Sequence, residues 1–454
     1  MVAHALVLLK TASYSAARER ARWPASSLDQ QTARLAEPGQ APRLAALHTS
    51  LDIRGVSRIF VRESPRTSEA VMDLDPIVPQ PDSDQDPAHF VGRVTTTTRA
   101  RERLAAGANL LLTDPRHMGK TFWMHTFAAQ EKGFRCYVID YESVSTVEDF
   151  LIRTGEELVK NKALPENALR SLKKIFDNVD IEFSGPITIK TYHRQTSPHR
   201  LLADALKTLD EDTSGAVPLV MMDEVPLAID NIARREGSGA ASELLQTLRA
   251  LRQMTTRVRW IVTGSVGFHH VLRRAGTTQG ALNDLESLPL GPLPDDEAGE
   301  LARRLLLGIG QIPSDAVVEA LIEVSGGIPF VLHKVAGMLD QRHRRIIGPA
   351  KVRECFENFI DDPDEFGWFE HYLTRVGPHY GERAILAERV LQATLSETND
   401  WISTDILPSD DGVDDILEDL TKDHYLERRG RSVRWRYPAL QYIWARKKGE
   451  WDRR

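Results

Sequence analysis

Short, continuously apolar runs alternate with longer stretches of helical period through the middle of the chain. Ala108–Thr113, Arg135–Asp140, Val217–Met222 and Arg259–Thr263 are each too short for a helix and apolar without alternation. Such runs read as strands covered on both faces. Phe122–Gln130, Thr146–Lys160, Pro198–Leu209 and Ala240–Thr255 carry apolar positions three and four apart and read as helices. Strands separated by helices predict an α/β fold with a parallel sheet. The stretch from Ala163 to Ser197 is polar and reads as an insertion.

After Pro294 the period becomes helical: Asp295–Leu307, Ser314–Val324, a break at Gly326-Gly327, then Phe330–Arg344. A separate C-terminal region follows. It reads as helix (Glu382–Leu395), short helix (Ile402–Leu407), helix (Gly412–Asp423) and two strands around a turn at Gly430, the order of a winged helix. Residues 1–85 mix short apolar pieces with Pro, Ser, Gln and charge, with one strand-like piece, Ser57–Val61, and an Asp- and Pro-rich linker from Asp73 to Asp86. The expected organisation is therefore a largely unstructured extension over 1–85, a sheet-containing core over 86–290, a helical lid over 291–348 and a winged-helix-like domain over 349–454.

Composition narrows the class. The chain has 454 residues, 41% hydrophobic and 27% charged, with a net charge of −7, which excludes a rod, a wholly disordered chain and a basic nucleic-acid coat. Two cysteines, Cys136 and Cys355, build neither a disulfide framework nor a thiolate zinc site, and a reducing, cytoplasmic setting is expected. No apolar run approaches the ~20 residues that cross a bilayer. The first 27 residues, with Arg18, Arg20 and Arg22 against Glu19, share a feature with transit peptides, but read as an unstructured or over-extended start.

The strongest chemical signal is Met118-Gly119-Lys120-Thr121, set between a buried strand and a helix. A phosphate loop needs backbone N–H groups free to converge on oxygens and a helix N-terminus aimed at the anion. Gly119 allows the close approach, Lys120 reaches the terminal phosphates and Thr121 offers its hydroxyl to Mg²⁺. The full pattern has a first glycine where this chain has Asp114, whose charge is compatible with phosphate only if the side chain points away. Farther on, Leu219–Met222 ends in Asp223-Glu224, an arrangement that places one acid on the Mg²⁺ shell and the next where a water attacking the γ-phosphate is oriented. Thr263-Gly264-Ser265 ends the following strand and offers polar groups to the same site.

These residues, together with Phe90-Val91-Gly92-Arg93 and Gly326-Gly-Ile-Pro329, resemble the prokaryotic AAA+/STAND-type P-loop ATPases, more narrowly the archaeal-ATPase and Orc/Cdc6-like group. Pro115-Arg116-His117-Met118-Gly119-Lys120-Thr121 is similar to the relaxed loop of that group, with His117 at its second basic position. The resemblance covers roughly 86–345 and implies a P-loop NTPase core that uses ATP and Mg²⁺. It implies that Phe90, Val91 and Arg93 lie near the adenine, that Pro115 to Phe122 hold the phosphates, and that Thr121 and Asp223 hold the metal. It further implies that Lys120 and Glu224 are catalytic, that Thr263 or Ser265 senses the γ-phosphate, and that Pro329 packs by the base. Arg273 and Arg274 stand where an arginine finger for a neighbouring subunit is sought, while His333 and Lys334 stand in for a lid cation that is not evident.

In the C-terminal module the helix usually offered to DNA bears Asp414, Asp415, Glu418, Asp419 and Asp423 against Lys422 alone, a face that phosphates repel. The hairpin bears Arg428, Arg429, Arg431, Arg434 and Arg436, so DNA contact would run through the wing, and protein contact is favoured over it. Three functions follow: an ATP-hydrolysing conformational switch with a protein partner or self-association, a DNA-associated ATPase helper, or a non-hydrolysing nucleotide-binding scaffold. The first is the leading expectation.

Overall fold

The computed structural model describes residues 74–81, 86–160, 166, 170–172, 198–213, 215–265, 267–339, 347–362, 371–396 and 399–448. All of them belong to one compact unit, Ser64–Arg454. The expected strand at Ser57–Val61 and nearly all of the polar insertion lie outside the described residues.

The core is a five-stranded sheet of β1 (Asn109–Leu112), β2 (Phe134–Asp140), β3 (Val217–Asp223), β4 (Arg259–Thr263) and β5 (Leu285–Ser287), in the order β2-β3-β4-β1-β5. Every pairing is parallel, with Met221 opposite Ile261 and Ile261 opposite Leu110. Alternation along the strands explains why these runs are apolar throughout. Leu219, Met221, Ile261, Leu110 and Leu112 pack on one face with α1 (Val94–Ala105) and α2 (Lys120–Gln130). Val220, Met222, Trp260 and Val262 pack on the other with α3 (Val147–Lys160), α4 (Pro198–Glu211), α5 (Val225–Arg235), α6 (Ser238–Met254) and α7 (Phe268–Arg274). Both faces are therefore dry, and the polar ends of the strands are left for chemistry.

Beyond β5 the chain is mainly helical: α8 (Asp295–Gly308), α9 (Asp315–Ser325), α10 (Pro329–Met338) and α11 (Pro349–Asp361). The helix expected from Phe330 ends at Met338, and α11 packs its Val352, Phe356 and Phe359 into the same apolar cluster as α8 to α10. Short helices α12 (His371–Thr374) and α13 (Val376–Tyr380) lead to α14 (Ala384–Ala393), β6 (Ile402–Ser403), α15 (Val413–Lys422), β7 (Leu426–Arg429), β8 (Ser432–Trp435) and α16 (Pro438–Lys447). The strands form a small antiparallel sheet, β6-β8-β7. The short helix expected at Ile402–Leu407 is instead strand β6 followed by a single tight turn at Thr404–Ile406. The reason is pairing: Ile402 and Ser403 find partners in Val433 and Ser432, which a helix there would forgo. One apolar cluster runs from Val91 and Met118 through α8 to Trp435 and Trp444, so the loop before α2, helices α8 to α10 and the C-terminal region share a core.

Candidate functional site

The strand order sets the site. β4 lies between β1, which feeds the Gly119-Lys120-Thr121 turn, and β3, which ends in the acid pair. The C-terminal ends of all three open on one side, because the strands are parallel. Thr113 to Gly119 form the loop and Lys120 starts α2. Gly119, at φ 80°, caps that helix with no side chain over it, and a Cβ built there would meet nothing within 4 Å. As the N-cap, Gly119 offers no side chain to the first N–H groups of α2, an arrangement that suits an anion at a helix N-terminus.

Thr121 Oγ1 donates to Asp223 Oδ2 at 2.5 Å. Thr263, fully buried at the end of β4, donates to the other oxygen of the same carboxylate. Two hydroxyls from neighbouring strand ends and the helix therefore fix Asp223. Glu224, one residue on, is in the left-handed region at φ 54°, which turns its side chain from the strand toward Ser265. Ser265 holds that carboxylate with its backbone N–H at 3.2 Å and its hydroxyl at 2.9 Å. Arg116 Nε donates to the Ser265 hydroxyl at 3.2 Å and its Nη2 lies 3.5 Å from Glu142 Oε1, tying the loop to the acid pair.

Lys120 is 5% exposed, and its ammonium donates to the Asp114 and Pro115 carbonyls at 2.6 and 2.8 Å. An ammonium has three protons, and the two loop carbonyls take two. Burial lowers the Lys120 pKa, while Glu224, Asp114 and Asp223 oppose that shift.

The structure resolves the anomaly at Asp114. Its carboxylate faces away from the loop mouth and accepts from Leu290 N at 2.7 Å and Gly291 N at 3.0 Å. The charge that would repel phosphate is consumed in capping the segment after β5. Arg93 braces the same region. Its N–H donates to Glu297 at 2.8 Å, its Nη2 to Met118 O at 3.0 Å and its Nη1 to the carbonyls of Leu290 and Pro292. Burial pulls the Arg93 guanidinium down to about 10, against Asp114 and Glu297, which raise it. Arg93, His117 and Glu224 all have positive φ, so three backbone positions in the sparsely populated left-handed region surround the loop.

The remaining residues expected at the site fall as follows. Phe90 packs edge-on against Phe122, ring centroids 5.1 Å apart, and Val91 and Met118 are buried in the apolar cluster shared with the lid. Pro329 starts α10, and the next residue, Phe330, stacks on His117 at 4.1 Å. The Tyr372 hydroxyl donates to the Arg116 carbonyl. Arg273 is not gathered with the loop residues: it pairs with Asp419 of α15 at 3.0 Å. Arg274 pairs with Asp230. On the hairpin, Arg428 pairs with Asp414, Arg434 with Glu427, and Arg429 and Arg434 lie over the Trp401 ring. Sequence reasoning missed Glu142 and Tyr372, which carry no motif and reach the loop only through the fold.

Superposition identifies the architecture. The structure matches a Walker-type ATPase of Pyrococcus abyssi with a TM-score of 0.53, at 15% identity, over 82% of this chain and 99% of that one. The fold is that of a P-loop ATPase. Weaker similarity reaches the ORC2 protein of Aeropyrum pernix (TM-score 0.44, 12% identity, 83% and 98% of the two chains). It also reaches the RuvB Holliday junction branch migration motor of Thermotoga maritima (TM-score 0.36, 13% identity, 78% and 95%). No family model and no curated protein matches the chain. Among the described residues no helix is long and apolar enough to cross a membrane.

Proposed function

We propose that the chain binds ATP with Mg²⁺ at the Gly119–Thr121 turn, hydrolyses it, and acts as a nucleotide-driven conformational switch. The observation that carries this reading is the 2.5 Å bond between Thr121 and Asp223. It joins the hydroxyl and the carboxylate that a Mg²⁺ shell needs, directly beside an uncapped helix N-terminus. The donor set is all oxygen, which suits a hard cation that keeps part of its water shell. Bound there, Mg²⁺ would neutralise charge on the terminal phosphates.

The chain's own groups have separable tasks in this reading. The Gly119 turn and the first N–H groups of α2 hold phosphate oxygens, and the third Lys120 proton meets one more. Glu224 orients and deprotonates the attacking water, and Ser265 positions Glu224 for it. Thr263 acts on Asp223, which favours Ser265 as the group near the γ-phosphate. Arg93 acts by bracing Met118 rather than by touching ligand, and Pro329 with Phe330 closes the loop from the lid side.

The switch reading is supported by what covers the loop. His117 stacks on Phe330 of α10, and Arg116 O accepts from Tyr372 of the C-terminal region, so a rearrangement of Arg116 or His117 on nucleotide binding is felt in both. The order helix, strand, helix, hairpin in the C-terminal region supports a winged helix. Arg428, Arg429 and Arg434 are engaged by in-chain acids or Trp401, which favours a protein partner over DNA. An arginine finger at Arg273 would require release of Asp419 first.

The test is hydrolysis against binding in Glu224→Gln. This variant should keep ATP and lose turnover by about 100-fold or more. Unchanged turnover would remove Glu224 from the chemistry, and absence of turnover in the wild type would favour the scaffold.

A further inference from the structure

Away from the phosphate loop, α7 of the core meets α15 of the C-terminal region through a cluster of imidazoles and carboxylates. Its members come from opposite ends of the fold: His270 and Asp423 are 153 residues apart in sequence. His269 Nε2 is buried and makes no hydrogen bond. It stands 3.7 Å from Asp423 Oδ1 and 3.6 Å from Asp419 Oδ1, too far for a hydrogen bond to either. His270 lies beside it, rings 4.0 Å apart, with Nε2 on Asp423 Oδ2 at 2.6 Å and a buried Nδ1 that has no partner. One ligand atom each from His269, His270 and Asp423 falls within 4.8 Å of the other two.

We propose that His269, His270 and Asp423 bind a zinc-class divalent transition metal that clasps the ATPase core to the C-terminal region. The spacing carries the argument. Imidazole nitrogen and carboxylate oxygen sit about 2.1 Å from tetrahedral zinc, so two ligand atoms around one ion are about 3.4 Å apart. The separation of His269 Nε2 from Asp423 Oδ1 is near that edge length, whereas His270 Nε2 and Asp423 Oδ2, at 2.6 Å, share a hydrogen bond that the ion would replace; a buried imidazole nitrogen with no hydrogen bond, as at His269 Nε2, is costly unless something binds it. Two imidazoles and a carboxylate suit zinc and its first-row neighbours, not the Mg²⁺ of the phosphate site.

The outer shell is present. Tyr380 donates its hydroxyl to Asp423 Oδ2 at 2.8 Å, which fixes the carboxylate. Arg273 and Arg383 take both oxygens of Asp419, whereas the bonds from His270 and Tyr380 to Asp423 both fall on Oδ2, so Asp423 Oδ1 is the oxygen offered to an ion. Gly267 is required for the approach, since a Cβ there would meet Asp423 Oδ1 and the His269 ring. A cavity of about 480 Å³, lined by Thr113, Gly267, His269 and His424 among others, reaches His269 and gives an entry path.

The experiment is zinc titration of the full chain after removal of metal with a chelator, followed by calorimetry and thermal melting, with cobalt as a spectroscopic probe. Wild type should take up one zinc at this site, show a visible cobalt d–d band of tetrahedral intensity, and melt about 5 °C higher at zinc a hundred times its dissociation constant. His269→Gln removes a nitrogen that makes no hydrogen bond, so the variant should fold. It should lose the cobalt band and weaken zinc binding at least tenfold, while His199→Gln, on α4, should keep both. Absence of zinc uptake by the wild type, or identical uptake by His269→Gln, would overturn the proposal. Excess magnesium should not displace the zinc, and displacement would also count against it.

Discussion

Thr121 Oγ1 lies 2.5 Å from Asp223 Oδ2, although the two residues are 102 positions apart in the chain. Strand order brings the two ends to one side of the sheet: β4 sits between β1 and β3, and Thr263 at its end holds the second oxygen of the same carboxylate. If the pair shapes a Mg²⁺ shell, Thr121→Ala and Asp223→Asn should each raise the Mg²⁺ concentration needed for half-maximal hydrolysis about tenfold, from loss of a charge-assisted bond. The double variant should be little worse than either single one, because both act through one bond. Additive losses in a Mg²⁺ titration would show that the two residues act separately.

Asp114 makes the opposite kind of prediction. Restoring the glycine of the standard phosphate-loop pattern should damage the protein rather than improve it. Asp114→Gly strands the N–H groups of Leu290 and Gly291, and it frees the loop in the unfolded state. The expected loss is about 1–3 kcal/mol in a denaturant melt, with no gain in ATP affinity. A stable variant that binds ATP more tightly would mean that Asp114 is an obstacle to phosphate after all.

The cysteines provide a pH-dependent check on the sheet. Burial pushes the Cys136 thiol up to about 12, with Glu131 adding to the shift, and burial raises Cys355 as well. A raised thiol pKa removes the reactive thiolate, so at pH 8 Cys136 is almost entirely in the thiol form. Disulfide-exchange reagents should therefore label neither cysteine in the folded chain at pH 8 and both after unfolding. The rate at Cys136 should keep rising with pH up to about 12. Rapid labelling of Cys136 at pH 8 would mean that β2 is open to solvent.

Much of this architecture can be read in the chain because its causes are local. The runs at Leu110–Leu112, Val217–Met222 and Arg259–Val262 are apolar on both faces, as their burial between two helical layers requires. The loop and the acid pair stand at the ends of those runs, so naming the strands also names the site. What escaped notice depends on distant partners. β5 is three residues long with two of them exposed, and only pairing with β1 makes it a strand. α5 opens with Pro226 directly behind the acids, where a turn reads as well as a helix. Ile402 and Ser403 became a strand because Val433 was available. Asp114 looked awkward for phosphate, and nothing near it in sequence points to the backbone of Leu290, 176 residues away, as its partner. Arg93, which the resemblance puts near the adenine, engages its guanidinium with main-chain carbonyls of the loop and of the segment after β5, partners that no local pattern shows. The clustering of Phe330 and Tyr372 over His117 likewise joins three regions that no local pattern links.

The central claim is that a triphosphate is held between the Gly119 turn and the Asp223–Glu224 pair, and equilibrium binding of a fluorescent ATP analogue with Mg²⁺ tests it most directly. Wild type and Glu224→Gln should bind it saturably and be competed by unlabelled ATP, and Lys120→Ala should bind at least tenfold more weakly. No saturable binding by the wild type, or equal binding by Lys120→Ala, would contradict the account.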